Sequence, residues 1–188
     1  MKKIAILASG NGTNAEKIIQ YFQKKRTAVA DVVIVNKKEA GVYARAGRLG
    51  VETIYAPASD FNNGRVMEIL CEREIDFIVL AGFLLKVPAE IVERFPRRIV
   101  NIHPALLPLH GGKGMYGERV HRDVIEHGDK QSGITIHYVD QHYDHGSTIK
   151  QATCPVLPGD TPDSLASRVH ELEHRWFPVI IEQEIMKL

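Results

Sequence analysis

An open, mostly parallel, twisted α/β sheet with helices on both faces is the fold class this sequence predicts, and three observations carry it. Short apolar runs alternate with segments of helical periodicity through the first hundred residues. A glycine turn, Ser9-Gly10-Asn11-Gly12, separates the first apolar run from the first helical one. Towards the C-terminal part the apolar residues change to two-residue alternation, which adds an antiparallel edge to the sheet.

Each element follows in order. Ile4 to Ala8 reads as a strand stopped by the glycine turn, after which Thr13 or Asn14 is placed to cap a helix carrying Ile18, Ile19 and Phe22. Strand, glycine turn and helix make a Rossmann-like opening. Val29 to Val35 is the second strand, followed by a helix around Gly41 to Leu49. Val51 to Tyr55 precedes a helix around Arg65 to Glu72, and Phe77 to Leu80 is the fourth strand. Parallel neighbours need such crossovers, so the alternation itself implies the sheet. Ile99 to Ile102 reads as a fifth buried strand, and a helix over Glu118 to Glu126 follows a proline-rich loop. Ile134 to Val139 alternates with period two, and Thr148 to Ala152 follows a turn at His145-Gly146. Pro162 to Met186 is the last helix. It turns Leu165, Val169, Leu172, Trp176, Ile180 and Ile181 to the core, with Pro162 in the first turn, where a missing N–H costs nothing.

A chain of 188 residues fits one domain spanning 1–188. Hydrophobic residues make up 44% and charged residues 25%, yet no run approaches the ~20 apolar residues of a membrane span. The net charge of +1 provides no broad basic field for nucleic acid, so any anion site must be local. Cys71 and Cys154 lie far apart without metal-ligand spacing, which argues against a disulfide framework and a metal site. The N-terminal apolar run breaks at Ser9-Gly10, too soon for a signal peptide, so a cytoplasmic protein is expected.

Gly10 to Asn14 can direct free backbone N–H groups and the positive end of a helix dipole at a phosphate. A sterically required tight turn is the alternative reading. Ala15 replaces the third glycine of the dinucleotide fingerprint, and the second strand ends Val35-Asn36-Lys37 without a ribose-binding acid. A monophosphate therefore fits better than a dinucleotide, and a dehydrogenase is disfavoured.

Asn101 and His103 bracket the end of the fifth strand, where open α/β sheets bind ligands, and alternation puts both side chains on one face. An amide donor beside an imidazole can stabilise a developing oxyanion. Asp144 could hold that imidazole charged, or could serve only as a turn residue. Among the nine histidines, His137 is the candidate support behind this pair; His121, His142, His145 and His174 read as loop or helix-face residues. Gly111 to Gly117 lacks the spacing of a nucleotide loop and reads as a mobile cover over the site.

These stretches resemble the folate-dependent phosphoribosylglycinamide formyltransferase family, from Lys2 to about Ile181. The matching parts are Ser9 to Asn14, Leu80-Ala81-Gly82-Phe83, Asn101-Ile102-His103-Pro104 with Leu106-Leu107-Pro108, Asp144 with Gly146, and Glu173-His174 before Phe177-Pro178. The resemblance implies that Gly12, Thr13 and Asn14 hold the phosphate of glycinamide ribonucleotide, that Glu173 contacts its ribose, and that Asn101, His103 and Asp144 carry the chemistry. Glu173 has a plain alternative as an exposed helix charge. The co-substrate would be 10-formyltetrahydrofolate, its pterin between Leu80, Leu85, Lys86, Val87 and Val92 on one side and Val139, Asp140 and Tyr143 on the other. By the same resemblance the phosphate half is about 1–100, the folate and catalytic half about 101–188, and the Leu107-Pro108 bond is cis. The chain departs from the commoner pattern in the glycine-rich segment after Pro108, in His145 within the usual Asp-Gly-Gly, and in Gln141-His142-Tyr143.

The implied activity is formyl transfer to the amine in purine biosynthesis by a monomer or homodimer, with no metal, nucleic acid or membrane partner. Formyltetrahydrofolate hydrolase and a non-catalytic nucleotide-binding module are the alternatives. Methionyl-tRNA formyltransferase adds a C-terminal tRNA-binding domain for which the chain leaves no room.

Overall fold

Runs such as Ile4-Ala5-Ile6-Leu7 and Phe77-Ile78-Val79-Leu80 have no polar face, so they are stable only where helices cover both sides of a sheet. The computed structural model describes residues 1–188 and satisfies that demand with seven strands. In chain order the elements are β1 (Lys2–Ala8), α1 (Thr13–Lys25), β2 (Ala28–Val35), α2 (Val42–Arg48), β3 (Glu52–Tyr55), α3 (Ala58–Asn62) and α4 (Arg65–Glu72). They continue with β4 (Phe77–Leu80), α5 (Ala89–Arg94), β5 (Ile99–His103), α6 (Glu118–Glu126), β6 (Gln131–Tyr138), β7 (Thr148–Pro155) and α7 (Pro162–Ile185).

The strand order is β3-β2-β1-β4-β5-β6-β7. The pairs from β3 to β5 are parallel, while β5 with β6 and β6 with β7 are antiparallel, as the change of periodicity predicted. One core packs α1, α6 and α7 against a face of the sheet, and a second packs α3, α4 and α5 against the other. The chain winds outward from β1 in both directions, so the crevice between the C-terminal ends of β1 and β4 is the switch point where such sheets take ligands. No helix is long and apolar enough to cross a membrane.

Several expectations need correction. Neither Thr13 nor Asn14 caps α1: the cap position is Gly12, in left-handed conformation, and no side chain bonds the helix end. His103 is the last residue of β5 rather than the first of the loop. The short helices α3 and α5 were not anticipated, because five or six residues hold too little periodicity to read. In α7, Leu172 and Trp176 are only half-buried, whereas Glu173, Phe177 and Pro178 face inward. The β6 alternation does not mark a wet face either. Thr135 and His137 are buried as Ile134 and Ile136 are: the segment after β5 folds over Thr135, and His137 lies against Asn101 and Asp144. Thr135 Oγ1 donates to Ala105 O (2.7 Å) and accepts from Leu107 N (2.9 Å) there, next to the cis Leu107-Pro108 bond.

The β6–β7 pair also depends on one missing side chain. A Cβ on Gly133 would stand 2.0 Å from the Ala152 carbonyl oxygen, and backbone cannot move aside as a side-chain tip can. Gly133→Ala is expected to destabilise the chain by on the order of 2–3 kcal/mol, read as a lower urea midpoint at unchanged slope.

Candidate active site

The crevice opens into a cleft of about 660 Å³ whose wall runs from the β1–α1 turn past β4 and β5 to the segment after β6. Two hydrogen bonds of Ser9 hold its entrance: Ser9 N donates to Gly82 O (3.1 Å), and Leu84 N donates to the Ser9 side-chain Oγ (2.9 Å). Beneath the turn lies α2. Val42 N donates to Gly10 O (3.2 Å) and Arg45 Nε to Asn11 O (2.8 Å). Gly12 has φ +75°, and a Cβ there would lie 2.4–2.8 Å from Val42, its Cα included. The steric requirement for this glycine is therefore met by α2. Only glycine lets α2 press against the turn, and that pressure leaves the first N–H groups of α1 directed into the cleft.

Asn14 reaches across this helix end, its Nδ2 donating to Glu173 Oε2 (2.9 Å) while its buried Oδ1 has no partner. Glu173 is 5% exposed, which removes the reading of a plain surface charge. His170 Nε2 stands 3.9 Å from the same oxygen. Burial pushes the Glu173 carboxyl above its ordinary range, against the pull of the Asn14 amide. A buried acceptor beside an open anion cradle suits a ligand carrying hydroxyl groups next to a phosphate.

Fifth-strand alternation brings Asn101 and His103 to the cleft floor, where Asp144 meets both. Asn101 Nδ2 donates to Asp144 Oδ1 (3.4 Å), and His103 Nδ1 lies 3.5 Å from Asp144 Oδ2. Asp144 itself has φ 53° and accepts the Gly112 N–H at Oδ2 (3.0 Å). His137, paired with Asn101 across the β5–β6 ladder, puts Nε2 3.1 Å from Asn101 Nδ2 and 3.7 Å from Asp144 Oδ1. His137 thus lies against both Asn101 and Asp144. His103 Nε2 faces the His110 carbonyl at 2.8 Å.

Burial holds the His103 imidazole below its ordinary range, although Asp144 and the His110 carbonyl pull it up. Burial pushes Asp144 the other way, but His137, His103 and the Gly112 N–H together outweigh it and hold the carboxyl low. Asp144 is thus an anion beside a ring whose charge burial opposes and the carboxylate and carbonyl favour.

On the far side of the cleft, Leu80, Leu85, Lys86 and Val87 face Val139, Asp140 and Tyr143. Val92 does not line the cleft; it packs behind it on α5 against the second core. Asp140 is tied into its own loop, accepting from His142 N (2.7 Å) and pairing with His145 Nδ1 (2.8 Å). The unusual His145 therefore braces this wall. Gly112 to Gly117 lines the cleft as well. Sequence reasoning missed His121, which is buried on the inner face of α6 with Val120 and Val124. It lines the cleft with Nδ1 unpartnered, and burial pushes its ring down to about 4. Its spacing from Val124 was the available signal.

A family model described as formyl transferase matches residues 2–181. The chain belongs to the formyl transferase family. Within it, the chain is similar to the phosphoribosylglycinamide formyltransferases. It is 39% identical to the chloroplastic enzyme of Arabidopsis thaliana over 96% of this chain and 64% of that one. It is 33% identical to the Bacillus subtilis enzyme over 97% of this chain and 94% of that one. The crystal structure of glycinamide ribonucleotide transformylase 1 from Symbiobacterium toebii superposes with a TM-score of 0.89 at 35% identity, covering 97% of this chain and 86% of that one. The chain thus spans just under two thirds of the Arabidopsis relative.

Proposed function

We propose that this chain transfers a formyl group from 10-formyltetrahydrofolate to the amine of glycinamide ribonucleotide in purine biosynthesis. One observation carries the reading: Asn101 and His103 converge on Asp144 at the floor between an anion cradle and an apolar wall. Gly12, Thr13 and Asn14 hold the phosphate, and Glu173 accepts from ribose hydroxyls. The flat pterin lies between Leu80, Leu85 and Val87 and the Val139 to Tyr143 segment, with Lys86 and Asp140 at its edges. Residues of both halves of the chain contribute to this cleft. The reading takes the chain as a cytoplasmic monomer or homodimer that keeps Cys71 and Cys154 as free thiols and acts on small molecules without a metal.

The amine lone pair attacks the formyl carbon, and the carbonyl electrons move onto oxygen. Asn101 Nδ2 donates to that oxyanion. The amine proton passes to His103 Nδ1, and the resulting imidazolium is stabilised by Asp144 and by the oxyanion. Collapse of the tetrahedral adduct breaks the bond to the folate nitrogen N10, which takes the proton from His103. No covalent enzyme intermediate is required.

The test is a spectrophotometric assay of folate deformylation with and without glycinamide ribonucleotide. Deformylation that requires the acceptor supports the reading; deformylation without it indicates a hydrolase, and none indicates a binding module. The pH profile adds a signed prediction. The base form of His103 is present above its lowered pKa and lost as pH falls through it, so the acid limb of kcat/KM, which reports the free enzyme, is expected below the ordinary histidine range. Asp144→Asn removes an anion that pulls the ring up, so the limb should move to still lower pH as kcat drops. An upward move would contradict the base role.

A further inference from the structure

We propose that Gly112 is a positioning residue whose backbone N–H orients the Asp144 carboxylate, so that the glycine-rich segment after Pro108 completes the reacting centre; the inference rests on the catalytic reading of Asp144 above. A carboxylate turns about its side-chain torsions, and the donors around it decide which oxygen faces which partner. Asp144 Oδ1 meets Asn101 Nδ2 at 3.4 Å and His137 Nε2 at 3.7 Å, while Oδ2 meets His103 Nδ1 at 3.5 Å. All three are long for a hydrogen bond. The Gly112 N–H reaches Oδ2 at 3.0 Å, the shortest of the four. The strand floor thus surrounds the carboxylate, and the glycine-rich segment fixes its direction.

Both sides of this contact are built to hold it. A Cβ on Gly146 would stand 1.8 Å from the Tyr138 carbonyl oxygen, so the turn that carries Asp144 is pressed against the end of β6. Tyr138 N donates to Ser147 O (3.0 Å) at the same place. The Asp144 backbone is thereby fixed, and only its side chain remains to be aimed. On the other side, the ring of His110 is anchored, with Nδ1 2.5 Å from Asp123 Oδ2 on α6 and Nε2 2.7 Å from Asp129 Oδ2 just before β6. From that anchor the chain passes against Asp144. A Cβ on Gly111 would stand 2.4 Å from Leu107 Cδ2 and 3.4 Å from Asp144 Cβ. Gly112 then takes φ +100°, beyond the left-handed region that other residues visit, and its carbonyl accepts from Met115 N (3.1 Å). Close approach requires the first glycine and backbone direction the second. A Cβ on Gly112 would meet nothing within 4 Å, so what excludes a side chain there is the conformation that points its N–H at Asp144.

The experiment follows the Asp144 carboxyl carbon by carbon-13 NMR in aspartate-labelled protein, together with steady-state kinetics. Loss of the signal in Asp144→Asn assigns it. The titrating groups against this carboxyl are His103 on β5 and His137 on β6, and both stay unaltered. In Gly112→Ala the φ of +100° is given up and the N–H turns away, so the carboxyl should titrate at higher pH than in the unaltered chain, a donor to its charged form being gone. At the same time kcat should fall on the order of ten-fold, the loss of one hydrogen bond to a charged group, with the KM for glycinamide ribonucleotide within about two-fold. Gly114→Ala places similar strain nearby, at φ +89°, and should leave the carboxyl titration where it was. An unmoved titration or an unchanged kcat in Gly112→Ala overturns the proposal, as does the same movement in both variants. If Gly112→Ala does not fold, the unaltered chain decides: the Gly112 amide proton signal should shift together with the Asp144 carboxyl, and an amide that ignores that titration overturns the proposal. If the chain transfers no formyl group while the amide still follows the carboxyl, the proposed function fails and the contact stands.

Discussion

His103→Ala is expected to lower kcat on the order of 100-fold or more while leaving the binding of both substrates nearly unchanged. The ring is 3% exposed and contributes little to the cleft wall beyond its two nitrogens, one on the His110 carbonyl and one facing Asp144. Its removal takes away the proton acceptor for the attacking amine and the cation that would stand beside the oxyanion. The same assay should show Asn101→Ala losing a comparable factor, because Asn101 Nδ2 is the other donor on the floor of the cleft. Single-turnover rates together with equilibrium binding of each substrate check the split. A variant that keeps near-normal turnover with both substrates bound would remove His103 from the chemistry.

Gly12→Ala is expected to act on binding instead. The added methyl meets Val42, including its backbone Cα at 2.8 Å, and the residue must hold φ +75°. Either the turn or α2 has to move, and the N–H groups at the start of α1 lose their common focus. KM for glycinamide ribonucleotide should rise on the order of 30-fold or more, the loss of one or two charge-assisted hydrogen bonds. The kcat at saturation should change little, because phosphate contacts are made equally in the ground and transition states. Steady-state kinetics with the nucleotide varied at fixed folate reads this directly. An unchanged KM would show that the turn does not hold the phosphate. The opposite signatures of these two variants separate the cradle from the reacting centre.

Much of this was legible along the chain because it is encoded locally. Strands β1, β2 and β4 follow from apolar runs that no one-sided element could bury, and the glycine turn follows from strand and helix meeting without room for a Cβ. Asn101 and His103 share a face because a strand alternates. The limits of α4, β4 and α6 fell where the periodicity placed them. Where the sequence left matters open, distant parts of the chain decided. Alternation along β6 does not tell that Thr135 is buried by the loop that follows β5, thirty residues earlier, and His137 against Asn101 and Asp144. Glu173 stood open between a ribose contact and a surface charge because nothing near it in sequence announces Asn14.

By itself, then, the sequence determined the sheet, its antiparallel edge, the glycine turn and the strand face that Asn101 and His103 share. Each of these depends on side-chain pattern or on backbone freedom over a few residues. Tertiary structure alone decided which groups meet. Asp144 joins Asn101 across 43 positions and Asn14 joins Glu173 across 159. The His110 carbonyl meets His103 Nε2 while Asp123 and Asp129 hold the ring of the same residue. The proton affinities follow from the same encounters. Burial and neighbouring charge are properties of the folded surroundings, and no residue's own identity fixes them.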